Sequence, residues 1–363
     1  MFRPMNKTRS DLIRPEIHQL AAYHVPDARG FIKLDAMENP YHWPAQMVDA
    51  WLNLLREVPL NRYPDPVAQD VKDLLRQTMQ VPVGQELLLG NGSDELIQMI
   101  LMAVSGPERV VLAPEPGFVM YKMIATFLNM PYVGVPLRSD FSLDRDAMLQ
   151  AITQHQPAVT FLAYPNNPTG NLFDDADMEA VIQASDGLVV IDEAYHAFAG
   201  KTWMARMPQY DNVLVMRTVS KMGLAGLRLG LLAGQPDWLR EFDKVRLPYN
   251  INVLTQASAQ FALQHQSVLD EQTQRITRDR EQLLSDMRQL AGIDVFPSQT
   301  NFILFRTVTA KADAVFQTLK QHKVLIKNMS HAGGLLRDCL RVTVGTPDEN
   351  GAFLDALRLA LKI

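Results

Sequence analysis

The stretch "TVSKMGLAGLRLG", residues 218–230, sets ionisable groups among very small residues. Ser220 and Lys221 are adjacent, and Arg228 follows the lysine by seven positions. Gly223, Ala225, Gly226 and Gly230 leave little side chain around them. Burying an unpaired ammonium is expensive, so a lysine in this setting needs a chemical use. A neutral lysine amine attacks aldehydes and forms a Schiff base. Three other stretches add polar groups: Asn166, Asn167 and Thr169 in "AVTFLAYPNNPTG" (158–170), Asp192 and Tyr195 in "GLVVIDEAY" (187–195), and Ser93 and Asp94 in "LGNGSDELIQMI" (89–100). A buried carboxylate suits a protonated pyridine nitrogen, and an amide with a phenol suits a ring phenolate oxygen. A helix start with hydroxyls and an arginine suits a phosphate. The ligand class these groups describe is a phosphorylated aromatic aldehyde.

The elements that must position these groups are legible as short apolar runs rich in β-branched residues. They are "RVVLAPEPG" (109–117), 158–170, 187–195, "NVLVMRTVSK" (212–221) and "LGLLAG" (229–234). Continuous apolar runs of this length suit strands buried on both faces of a parallel sheet. Helical patterns lie between them at 118–130 and at 174–185, the second opened by Asp174 and Asp175, where acids suit a helix N-terminus. Alternation of strand and helix predicts an α/β fold, a mostly parallel central sheet flanked by helices. Open sheets of this kind bind ligands at the carboxyl ends of their strands, where the polar residues above fall. After about 250 the texture changes to a smaller α+β unit. It has a long amphipathic helix (268–291) with Ile276, Leu283, Leu284, Met287 and Leu290 on one side. There follow "NFILFR" (301–306), a helix near 310–322, "KVLIK" (323–327), "CLRVTVG" (339–345) and a last helix from about 347. The expected division is an N-terminal arm at 1–30, a large domain at 31–250 and a small domain at 251–363.

Composition narrows the function. With 363 residues, 47% apolar and 21% charged, the chain has ordinary globular make-up and room for two domains. One cysteine, Cys339, allows no internal disulfide, which fits a reducing compartment, and the expected location is the cytoplasm. The start, "MFRPMNKTRSDLIRPEI", lacks the apolar core of a secretory signal, and no run approaches the ~18–20 apolar residues of a membrane span. A net charge of −5 with interspersed signs leaves no basic footprint for nucleic acid. The eight histidines are scattered without ligand spacing, so no metal site is expected.

The aldehyde ligand that joins a pyridine nitrogen, a phenolate oxygen and a phosphate is pyridoxal 5′-phosphate, PLP. The sequence resembles the fold-type I PLP-dependent aminotransferases, and within them the histidinol-phosphate aminotransferases. The likeness runs over nearly the whole chain through nine pieces in family order: "LDAMENP", "NRYPDP", "GNGSDE", "PGFVMY", "YPNNPTG", "DEAY", "SKMGLAGLRLG", "TNFILF" and "CLRVTVG". The resemblance implies that Lys221 is the lysine bonded to the cofactor aldehyde. It implies that Asp192 pairs with the pyridine nitrogen and that Asn167 and Tyr195 meet the ring oxygen. Phe118 would stack on the ring, and Ser93, Asp94, Ser220 and Arg228 would form the phosphate cup. Tyr63 would reach the cofactor phosphate of a neighbouring subunit, which implies a homodimer with shared sites. Arg341 would bind the substrate anion, with Tyr23 and Asn167 also at the substrate. The implied reaction moves the amino group of L-histidinol phosphate to 2-oxoglutarate, giving imidazole acetol phosphate and glutamate in histidine biosynthesis, with ping-pong kinetics.

Plainer explanations exist for single residues. Asp192 suits a helix N-cap, "PNNPTG" is a good turn, and Phe118 suits plain core. Tyr63 suits an ordinary interface, and Arg341 a structural salt bridge. Gly90 and Gly92 resemble a dinucleotide loop, but Glu95 stands where its third glycine belongs. The chain also departs from the family pattern in three places. The lysine-to-arginine spacing is seven where many relatives have eight. Met37 stands where asparagine is usual, and Lys327 where many have arginine, so a point charge replaces a two-pronged donor. These departures bear on the amino donor. They keep open an aromatic amino acid aminotransferase and a threonine-phosphate decarboxylase as alternatives, with a non-catalytic PLP-fold module behind them.

Overall fold

The computed structural model describes residues 9–22 and 25–362. Among the described residues, thirteen strands follow in chain order: β1 (Ile32–Lys33), β2 (Glu86–Gly90), β3 (Val111–Glu115), β4 (Tyr132–Pro136), β5 (Val159–Ala163), β6 (Leu188–Asp192), β7 (Val213–Thr218), β8 (Gly230–Gly234), β9 (Ile293–Val295), β10 (Phe302–Thr307), β11 (Val324–Leu325), β12 (Lys327–Asn328) and β13 (Cys339–Thr343). Seven of them form one sheet in the order β2-β8-β7-β6-β5-β3-β4.

The apolar runs become central strands because both faces of this sheet are covered. Successive residues of β6 alternate between two cores: Val189 and Ile191 face one, Leu188 and Val190 the other. Val213 and Val215 against Leu214 and Met216 repeat the pattern in β7. Each such side chain contributes about 1.5–3 kcal/mol on burial, so the sheet interior dominates this part of the fold. Helices Val119–Phe127 and Asp175–Ala184 lie where the periodicity predicts them. Asp174 is the N-cap of the latter, accepting from the backbone N–H groups of Ala176 and Asp177.

Two placements are not specified by the apolar runs themselves. The run 229–234 reads as one more parallel strand, but β8 is antiparallel to both β7 and β2. The link from β7 to β8 is too short for the crossover that parallel neighbours require, so the chain doubles back. Residues 32–34 pack against the C-terminal unit: β1 pairs with β11, and Leu34 packs in the core of Leu340, Val342 and Phe353. A two-residue strand has too little pattern to reveal its partner.

The C-terminal unit holds a four-stranded antiparallel sheet, β12-β13-β10-β9. Its last helix, Pro347–Leu361, opens with a capping box between Thr346 and Glu349. The long helix Gln266–Arg288 ties the two sheets together. Its Leu269 packs with the large-sheet core, Ile276 with Tyr195 and Phe302, and Leu283, Leu284 and Met287 with the C-terminal core. In the N-terminal segment, Arg14 hydrogen-bonds the carbonyl of Phe127, so this piece docks on the large sheet's outer helix.

Candidate active site

The strand directions bring the chemistry to one edge of the sheet. β2, β3, β5, β6 and β7 all end there, and antiparallel β8 begins there. Ser93 and Asp94 follow β2, Phe118 follows β3, Asn167 follows β5, Asp192 and Tyr195 close β6, and Ser220 and Lys221 follow β7. Arg228 stands just before β8. These residues line one cavity, together with Met37, Ala163, Pro165, Ala194 and Thr218.

Among its ionisable groups, Lys221 and Asp192 are displaced far from their ordinary behaviour. Burial, with Arg341 adding positive charge, pulls the Lys221 amine down to about 8. A sizeable neutral fraction therefore exists near neutral pH, as a nucleophile or base requires. Burial pushes the Asp192 carboxyl up to about 6, against the pull of hydrogen bonds from Tyr121 and the Ala194 N–H. Its Oδ2 accepts from the Tyr121 hydroxyl at 2.6 Å and its Oδ1 from Ala194 at 3.0 Å. Both donors are neutral, so the buried anion is a good partner for a cationic ring nitrogen.

The other end of the cavity suits a phosphate. Helix Ser93–Val104 starts after Gly92 with no side chain capping it, so its first N–H groups point outward unsatisfied. Gly92 has φ +80°, and a Cβ there would meet the Arg228 guanidinium at 2.5 Å. A Cβ on Gly230 would meet the Gly92 backbone at 2.7 Å. Those small residues let β8 and Arg228 close against the helix start. Arg228 adopts a left-handed backbone (φ +49°) and lies 3.4 Å from Asp94, so the seven-residue spacing delivers it to the start of helix Ser93–Val104. The Ser220 hydroxyl accepts from Thr218 at 2.9 Å.

A second chain of contacts leads toward the C-terminal sheet. Asn167 donates to the Tyr195 hydroxyl at 3.1 Å, and its Oδ1 accepts from Arg341 at 2.6 Å. Arg341 is buried on β13, directly opposite Lys327 in register, so the two cations share one face. The Asn167–Pro168 bond is cis. Met37 lines the cavity with a left-handed backbone (φ +54°), its N–H bonded to Thr343 and its carbonyl to Asn301. Tyr63 lies outside this chain's cavity, 81% exposed, stacked on Tyr249 at 4.4 Å. Tyr23 lies outside the described residues.

Sequence reasoning passed over Thr218, Ala194 and Tyr121. Tyr121 ends the "PGFVMY" stretch and Thr218 begins "TVSK", so both sat beside residues already singled out. It also passed over Arg217 and Glu193, a buried ion pair at 2.8 Å just behind Asp192. Glu193 further accepts from Thr202 and the Trp203 N–H, which fixes the turn after β6. No helix among the described residues is long and apolar enough to cross a membrane, and no group of three or more candidate metal ligands gathers among them.

Comparison with known proteins gives the family. The aminotransferase class I and II family matches residues 29–357. A histidinol-phosphate aminotransferase 2 of Nitrosococcus oceani is 59% identical over 359 residues, covering 99% of this chain and all of that one. A histidinol-phosphate aminotransferase 1 of Ralstonia nicotianae is 53% identical over 97% of this chain and 95% of that protein. Among solved structures, the histidinol-phosphate aminotransferase of Sinorhizobium meliloti in complex with pyridoxal-5′-phosphate superposes with a TM-score of 0.86. It is 25% identical and covers 99% of both chains.

Proposed function

The chain belongs to the class I and II aminotransferases, and from that premise we propose how its cavity works and on what. It is a PLP-dependent transferase that exchanges the amino group of L-histidinol phosphate with 2-oxoglutarate, a step of histidine biosynthesis. The observation that carries this reading is the convergence of Lys221, Asp192, Asn167 and Tyr195 on one cavity whose far end is an uncapped helix start.

When bound, PLP supplies an aldehyde that takes the amino group and a protonated ring that draws electron density from the donor carbon. The protein's residues do the rest. Asp192 would hold a negative charge against the ring nitrogen. Asn167 and Tyr195 would offer polar groups to the ring oxygen, and Phe118 an aromatic face to the ring. The N–H groups at the start of helix Ser93–Val104, the Ser93 and Ser220 hydroxyls and Arg228 would hold the phosphate. Nζ of Lys221, half neutral near pH 8, removes the proton from the donor carbon and restores one to the acceptor carbon in the reverse half. Arg341 anchors the anion of either substrate, a carboxylate of glutamate or the phosphate of histidinol phosphate, because a guanidinium binds both in two-pronged fashion. Lys327 adds charge beside it.

The assembly proposed is a cytoplasmic homodimer. Support comes from Tyr63, which stacks on Tyr249 away from its own cavity and beside exposed Leu60, Val67 and Leu247. Such an aromatic patch is typical of an interface core. A large unit around the seven-stranded sheet and a small one around the four-stranded sheet would close over the substrate.

A panel of amino donors, each mixed with the PLP-loaded protein without an acceptor, tests the substrate. L-histidinol phosphate should convert the cofactor to its amino form much faster than phenylalanine or tyrosine. Faster aromatics would make it an aromatic amino acid aminotransferase, with Met37 and Phe118 shaping the pocket. Carbon dioxide released from threonine phosphate would make it a decarboxylase.

A further inference from the structure

We propose that Tyr121 is a positioning residue for Asp192, its hydroxyl orienting and charging the carboxylate that faces the cofactor ring. The proposal rests on the PLP reading of the cavity. The hydroxyl donates to Asp192 Oδ2 at 2.6 Å, and the Ala194 N–H takes Oδ1 at 3.0 Å. With a donor on each oxygen, the carboxylate cannot rotate without losing one bond in a buried site, where an unmade bond is costly.

The tyrosine itself is held in place. Its ring is 1% exposed and stacks on Phe161 with centroids 4.4 Å apart and planes 7° from parallel. Phe118 meets it edge-on at 5.5 Å and 84°. Phe118 is the cavity aromatic, so one ring braces both the stacking residue and the carboxylate. Burial, with Asp192 close by, pushes the phenol well above its ordinary value, so it stays a donor throughout the working pH range. Asp94 and Glu193 add negative charge around Asp192, Tyr132 and Tyr195 lie around Tyr121, and Lys221 and Arg228 complete the cavity wall. The Tyr121 hydroxyl hydrogen-bonds the carboxylate directly.

Tyr121→Phe removes one oxygen and keeps the stacked ring. The carboxylate then loses a donor that favours its charged form. If the proton stays on the ring nitrogen, the carboxylate's negative charge is less compensated; if it moves to Asp192, the ring loses positive charge; either change favours the protonated form at Lys221 Nζ. In the PLP-loaded variant the pH midpoint of the visible absorbance band should rise by about 0.5 unit or more. The half-reaction kcat should fall about tenfold with KM within about twofold, because Tyr121 does not line the substrate space. In an Asp192→Asn background the same substitution should leave the midpoint unmoved, since the effect runs through the carboxylate. An unshifted midpoint in Tyr121→Phe, or an equal shift in both backgrounds, would overturn the proposal and leave Tyr121 as packing. A wild-type protein that takes up PLP without any visible band would overturn the cofactor reading itself.

Discussion

Replacing Asp192 by asparagine removes a charge from the interior with almost no change of shape, so it isolates what that charge costs the protein before the cofactor arrives. Asp192 is 4% exposed, and burial raises its carboxyl from 3.8 to about 6. A shift of roughly 2 units corresponds to about 3 kcal/mol at about 1.4 kcal/mol per unit. Because the folded value is the higher one, the native state holds the proton more tightly than the unfolded chain. Stability therefore falls as pH rises from 3.8 to 6 and stays at the lower level above that. Asparagine stands in for the protonated acid at every pH. Its amide can still accept from the Ala194 N–H and meet the Tyr121 hydroxyl. Cofactor-free Asp192→Asn should accordingly be more stable than wild type by about 3 kcal/mol at pH 8, shrinking to about 1 kcal/mol near pH 4.5. Urea unfolding of both cofactor-free proteins, followed by tryptophan fluorescence and far-UV circular dichroism, measures the gap. Saturating PLP should reverse the order, because the cofactor binds the wild-type anion better and stabilises by mass action. A cofactor-free variant no more stable than wild type at pH 8, or a gap that ignores pH, would refute the view of Asp192 as a strained buried anion waiting for a cation.

Three further outcomes are expected. The rate at which cofactor-free protein captures PLP should climb with pH and level off above about 8, following the neutral fraction of Lys221; stopped-flow absorbance would expose an error if the plateau came only near 10. Gly230→Ala drives a Cβ to 2.7 Å from the Gly92 backbone, so thermal unfolding should show a loss of about 1–3 kcal/mol with weaker PLP retention. Arg341→Ala strips a buried guanidinium from Asn167 and from either substrate anion, and should slow both half-reactions at least about thirtyfold; a normal rate in either one sinks the shared anchor.

Much of the site was legible because the residues that carry its chemistry sit at strand ends, next to small residues that have no other reason to cluster. Apolar runs two-sidedly buried in the sheet, acids opening helices and the Lys221–Arg228 turn are local patterns, and local patterns survive in one dimension. Nine stretches in family order added the cofactor and the substrate.

What stayed hidden is long-range. The short link between β7 and β8 forbids a parallel pair only once the two are known to be neighbours, so the direction of β8 waited on its pairing with β2 and β7. The same holds for β1, whose partner β11 lies almost the whole chain away. Tyr121 meets Asp192 across 71 residues, and Arg341 meets Asn167 across 174. By itself the sequence determined which side chains are able to do the chemistry. The tertiary structure alone decided which of them touch, and through burial and those contacts how far the proton affinities of Lys221 and Asp192 depart from ordinary values.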